Sequence, residues 1–152
     1  DGRTLAFGCV DGTVWLWDVK TQRSARTIKA SEDFVQSVAW SPDNRLLAVS
    51  STDAVYVWDA QTGKPLTEPL RHRYAVYSAQ FSPDGLRVVT SCNSYDQVGN
   101  VQDGYVQLWD AQFGKPLAEP LRHGYEISSA QFSPDGLRLL TSNSSVNCFH
   151  QI

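Results

Sequence analysis

His72, Thr90 and Asp103 offer an imidazole, a hydroxyl and a carboxylate, the three groups that a nucleophilic hydrolase combines. Such a triad also needs an accessible nucleophile and oxyanion donors, and here the set sits at an equivalent place in successive repeats. Repetition points to structure rather than catalysis. His72, His123 and His150, taken with Cys9, Cys92 and Cys148, match no zinc-ligand spacing, and sites on successive repeats would lie far apart. The glycines stand singly in turns and form no phosphate-cradling loop. Glu32 and Asp33 are adjacent and read as solvated carboxylates. No enzymatic activity, metal or cofactor is expected.

The balance of the chain narrows the partners. Its 152 residues are 41% hydrophobic and 19% charged, a globular composition. A formal charge of −3 argues against nucleic acid, because affinity for phosphate backbones comes mainly from clustered Lys and Arg. No stretch approaches the roughly 18–20 apolar residues of a membrane helix, and the opening DGRTLAFGCV has no signal-peptide layout. A cytoplasmic segment without membrane contact is the expectation. The three cysteines, never in a Cys-x-x-Cys arrangement, read as buried reduced thiols.

The elements behind these residues repeat. Three apolar runs end in Trp-Asp, at Trp17-Asp18, Trp58-Asp59 and Trp109-Asp110, spaced 41 and 51 positions apart. That is close to the period of a four-stranded propeller blade. Ahead of them come strand a (34–40, 75–81, 126–132), a Ser-Pro-Asp turn closed by Gly or Asn, and strand b (45–50, 86–91, 137–142). The Trp-Asp segments form strand c, and a shorter strand d follows a Gly-Lys turn. Strand c is apolar at nearly every position, so both faces of its sheet must be covered. The units run about 1–28, 29–69, 70–120 with an insertion at 94–102 between strands b and c, and 121–152, which reads as incomplete.

These residues resemble the WD-repeat β-propeller family over essentially the whole chain. Arg-His replaces the family's Gly-His at His72 and His123, Ser-Pro-Asp-Gly recurs at 82–85 and 133–136, and Asp-Gly precedes strand c at 11–12 and 103–104. The resemblance implies an all-β chain, a partial β-propeller of about three to four four-stranded antiparallel blades. It also implies that His72, Thr90, Asp103 and Trp109 form a structural hydrogen-bond tetrad. The second repeat departs most, with Ser31 where the histidine belongs and one residue fewer between Asp53 and Trp58, which puts its internal hydrogen bonding in question. Residues 58–91 and 109–142 are near-copies that align without gaps, a habit of bacterial arrays of this family. The first and last units both contain strands b and c, so they duplicate rather than complete each other. A piece of a longer propeller is the expectation, with self-association as the other reading.

In such a meander the d–a and b–c loops share one end of the blades. That end collects Arg71, Arg73, Tyr74, Tyr95, Asp96, Gln97, Asn100, Arg122 and Tyr125. Tyr and Arg are enriched among interface hot spots, so this end is the candidate partner-binding face. The expected role is an interaction scaffold for protein or peptide partners, with further repeats of the same chain or a second copy as structural partners. The alternative is a regulatory or sensing module attached to a signalling enzyme such as a kinase or NTPase.

Overall fold

Turn residues cut the chain into short strands, and the computed structural model, which describes residues 2–99 and 101–142, contains no helix among them. Strands β1 (Thr4–Gly8), β2 (Thr13–Asp18) and β3 (Arg23–Lys29) form the first antiparallel sheet. The second contains β4 (Ser37–Trp40), β5 (Leu46–Ser50) and β6 (Ala54–Asp59), with β7 (Lys64–Pro65) and β8 (Leu70–Arg71) both paired to β6. The third runs β9 (Ala75–Phe81), β10 (Arg87–Tyr95), β11 (Val101–Asp110) and β12 (Leu121–Arg122). The described part of the fourth is the hairpin β13 (Ser129–Phe132) and β14 (Leu139–Ser142). The sequence-expected c strand after residue 142, Cys148, His150 and the loop residue Asn100 lie outside the described residues.

Alternation along strands b and c explains why the sheets stack. Leu47 and Val49 turn toward Val14, Leu16 and Ile28 of the first sheet, while Ala48, Val55 and Val57 turn the other way, toward Val76, Phe81, Val88 and Trp109. Val89 and Val106 then meet Ala130 of the fourth sheet and Ile127 just ahead of it. Each fully buried Val, Leu or Ile contributes about 1.5–3 kcal/mol. Strands β4, β9 and β13, the first of their sheets, neighbour one another, so the blades converge on the strand a side.

The turns account for the recurring polar letters. In each Ser-Pro-Asp turn the serine hydroxyl donates to the aspartate, Ser41 to Asp43, Ser82 to Asp84 and Ser133 to Asp135, all at 2.5 Å. The same hydroxyls accept from the first backbone N–H of strand b, at Leu46, Arg87 and Arg138. The positive φ that closes the turn falls on Asn44, Gly85 and Gly136. The aspartate of each Trp-Asp pair caps the next turn: Asp18, Asp59 and Asp110 accept from the backbone N–H of Thr21, Thr62 and Phe113 at 2.6–2.8 Å.

Three sequence expectations need correction. Strand a begins late in two units, at Ser37 and Ser129, because Val35 and Ile127 give their N–H groups to the preceding sheet instead, to Cys9 O and Asn93 Oδ1. Strand d is continuous only as the proline-free β3. In the second sheet Pro65 and Pro69 remove ladder donors and split it into β7 and β8, and Pro116 and Pro120 leave the third with one bridge and β12. The insertion at 94–102 is no simple loop. Ser94 and Tyr95 extend β10 and pair with Asp103 and Val101 of β11 across a bulge, so only its middle residues form the tip.

Candidate functional site

The loop end of the third blade is built on the β10–β11 ladder, which runs from Arg87↔Asp110 to Tyr95↔Val101. At its buried end the Trp109 indole N–H donates to Thr90 Oγ1 at 3.1 Å, and the hydroxyl in turn donates to Gln107 O at 3.3 Å. Half of the expected tetrad is therefore joined. The other half is arranged differently. His72 Nδ1 lies 3.2 Å from Tyr105 Oη and 3.0 Å from Cys92 Sγ, its ring stacks edge-on to Trp109 at 5.1 Å, and its buried Nε2 has no hydrogen-bond partner. Asp103 instead pairs with Arg122. The ladder that runs into the insertion pairs Asp103 with Ser94 in place of a tight turn, and Tyr105 lies beside the imidazole.

Burial lowers the His72 pKa to about 4 and raises that of the Cys92 thiol to about 12, against a smaller lowering by its bond to Tyr105. Burial also raises Tyr105, with Cys92 adding to the shift. A neutral imidazole beside a neutral thiol is the opposite of the thiolate–imidazolium pair of a cysteine nucleophile. The cluster packs; it does not activate.

The second blade confirms why Thr90 matters. Pairing of Leu47 with Trp58 and of Val88 with Trp109 puts Val49 at the register position of Thr90. With no hydroxyl there, the buried Trp58 Nε1 has no partner. Ser31, at the histidine's place in the sequence, hydrogen-bonds Ser51 at 2.8 Å instead.

The candidate face residues divide into tethered and free-standing groups. Arg71 pairs with Asp53 at 3.7 Å and Arg122 with Asp103, so both guanidiniums are committed within their own sheets. Lys29, in the same register, donates to Asp11 O at 2.8 Å. Arg71 and Arg122 are expected on this end from the sequence; Lys29, which aligns with them, was missed. Arg73 is exposed and sits over the Tyr74 ring at 5.7 Å, while Tyr74 packs on Tyr105 at 5.9 Å. Tyr125 is exposed.

The hairpin extension is held in place from both sides. Tyr95 donates its hydroxyl to Tyr77 Oη at 2.6 Å, with ring centroids 6.2 Å apart. Burial, with the Tyr77 hydrogen bond and the nearby Glu126 charge, raises the Tyr95 pKa. At the tip Asp96 Oδ1 accepts from Val98 N at 2.9 Å and Asp96 O from Gly99 N at 3.1 Å, leaving Gln97 and Val98 exposed. Below it, Asn93, fully buried, clamps the next blade by accepting from Ile127 N at 2.8 Å and donating to Ile127 O at 3.0 Å. Sequence reading missed this clamp, since a lone Asn carries no spacing signal.

The WD domain, G-beta repeat family model matches residues 22–59 and 63–110, more than half of the chain. Telomerase protein component 1 of Rattus norvegicus is 27% identical over 94% of this chain and 5% of its own length. Periodic tryptophan protein 2 of Arabidopsis thaliana is 28% identical over 93% of this chain and 15% of its own. The chain thus spans a small part of these curated relatives. The β-propeller domain of Myceliophteria thermophila Cps50 (Swd1) superposes with a TM-score of 0.72 at 23% identity, covering 93% of this chain and 46% of that one.

Proposed function

This chain belongs to the WD-repeat family, an all-β partial propeller of the protein-interaction scaffold type, and from that premise we propose that its loop end captures a protein or peptide partner without catalysing a reaction on it. The observation that carries this reading is the 94–102 hairpin, pinned by Tyr95 to Tyr77 and offering exposed Gln97 and Val98 at its tip, on the end of the blades that also carries Arg73, Tyr74 and Tyr125. A preorganised aromatic and Arg surface loses little freedom on binding, which favours affinity. Replacing 94–102 with a two-residue turn in the complete protein should leave folding intact and weaken partner capture at least tenfold. Undiminished capture, together with loss on substituting the opposite Ser-Pro-Asp-Gly turns, rejects this face.

A second reading is a regulatory propeller module of a larger signalling protein such as a kinase or NTPase; the curated relatives matched are much longer than this chain, which is compatible with a module of a larger protein. Nucleic-acid and membrane partners fit poorly with the net charge of −3 and with the absence, among the described residues, of any helix long and apolar enough to cross a membrane. Free Cys9 and Cys92 go with a reducing, cytoplasmic setting. The first sheet carries a stacked Phe7–Trp15 pair, centroids 6.4 Å apart, beside exposed Leu5. A further repeat of the same protein is the cover we assign to that face, because the corresponding faces of the next two sheets are packed by a preceding blade.

A further inference from the structure

A second surface lies at the other end of the strands. Between the Ser-Pro-Asp turns of the second and third blades runs a groove of about 640 Å³, within the span of about 300–1,000 Å³ common for ligand clefts. Leu46 and Ala111 line it, and two leucines stand open to solvent there, Leu66 at 43% and Leu86 at 66% exposure. Single exposed leucines are ordinary; two on the walls of one trough are an apolar seat.

Its charge is one-sided. The lining holds Asp43, Asp59 and Asp84 against one cation, Arg45. Asp84 is matched by Arg87 at 3.0 Å, which leaves two carboxylates sharing Arg45. Both are held below the usual carboxylate range, Asp43 first by the Ser41 hydroxyl and Asp59 first by the Thr62 backbone N–H, with Arg45 adding to each. They are ionised at neutral pH. The turns that carry them are closed by the hydrogen bonds already described, so the walls are preformed and binding requires little ordering.

We propose that this groove is a docking site for an extended peptide segment that carries an apolar side chain next to Lys or Arg. The leucines require an apolar group, and the unmatched carboxylates favour a cation and oppose a phosphorylated or acidic segment. The site is separate from the loop end, so the two surfaces can hold different partners and either assignment can fail alone.

The test is fluorescence anisotropy on the complete protein with a labelled Ala-Lys-Leu-Leu-Arg-Ala peptide, its charge-reversed counterpart with Glu for Lys and Arg, and a version with Ser for both Leu. The basic apolar peptide should bind saturably, both counterparts at least tenfold more weakly. Leu86→Ser should cost about tenfold in affinity without moving Tm, since the side chain is mostly solvated, and Val10→Ser, in the exposed turn between β1 and β2, should cost nothing. Equal binding of the three peptides, a preference for the acidic one, or affinity unchanged by Leu86→Ser overturns the proposal.

Discussion

Thr90→Val isolates the hydrogen bond that distinguishes the third blade from the second. The hydroxyl is fully buried, accepts from Trp109 Nε1 at 3.1 Å and donates to Gln107 O at 3.3 Å. Valine keeps the branched shape, so cavity and rotamer effects are small and the loss is the pair of polar contacts. Stranding a buried N–H costs about 1–3 kcal/mol, and the added methyl returns part of it. The expected net destabilisation is about 1–2 kcal/mol, equivalent to about 2–8 °C in Tm for a chain of this length. The reciprocal change, Val49→Thr, places a hydroxyl at the same register position beside the orphaned Trp58 Nε1 and should be neutral or stabilising by up to about 1 kcal/mol. Equilibrium urea unfolding followed by Trp fluorescence gives both values. If Val49→Thr destabilises as much as Thr90→Val, the hydroxyl at this register does not serve the indole and the reasoning fails.

Acidification tests His72: its folded pKa of about 4 lies below the unfolded 6.5, so the unfolded state binds the extra proton first and stability is lost as pH falls from 6.5 towards 4, by about 3 kcal/mol. Urea unfolding at pH 7, 5 and 4 should show that slope, and His72→Gln should flatten it. Asp53→Ala should cost less than about 1 kcal/mol in the same assay, because it breaks a largely solvated pair with Arg71, and Asp103→Ala should cost more, because its side chain is only 24% exposed. Gly104→Ala should be far worse than either: a Cβ there would lie 2.0 Å from Tyr125 O, and the displaced 123–127 segment should become sensitive to limited proteolysis. Phe7→Ser with Trp15→Ser should reduce concentration-dependent association measured by sedimentation of the isolated chain, since it removes the stacked apolar pair.

Fold and site were unequally legible. The Ser-Pro-Asp turns, the Trp-Asp strands and the double-sided apolar pattern are local, and each names its own geometry through proline, through a positive φ at Gly or Asn, or through alternation. Strand d was less legible because its prolines act on pairing, not on position: Pro65 sits inside a strand that Pro69 then interrupts. The tetrad was half visible. Trp109 and Thr90 are fixed by register within one hairpin, but the partner of His72 depends on how an insertion 22 or more positions later is absorbed, and no pattern in 94–102 announced that it would continue the ladder. Asn93 was invisible for the same reason, since its partners lie 34 positions away.

The near-copies give the loop end its strongest physical argument. Units 58–91 and 109–142 share their frame and differ at eight positions, four of them between 73 and 77 and their counterparts 124–128. Tyr77, where the other copy has Ser128, supplies the hydroxyl that anchors Tyr95 of the hairpin. Glu126, where the other copy has Ala75, adds its charge to the burial and the Tyr77 contact that raise the Tyr95 pKa. Arg73, where the other copy has Gly124, is the guanidinium over Tyr74 on the same end. The copies also differ away from the loop end, at Thr62/Phe113 in the opposite c–d turn and at Thr67/Ala118, Val88/Leu139 and Val89/Leu140. At the loop end Tyr77 and Glu126 both act on Tyr95 of the hairpin, and the buried Ile127, where the other copy has Val76, is held by Asn93 of β10. The hairpin is thus packed on its neighbours through Tyr95 and Asn93, as an unconstrained loop would not be.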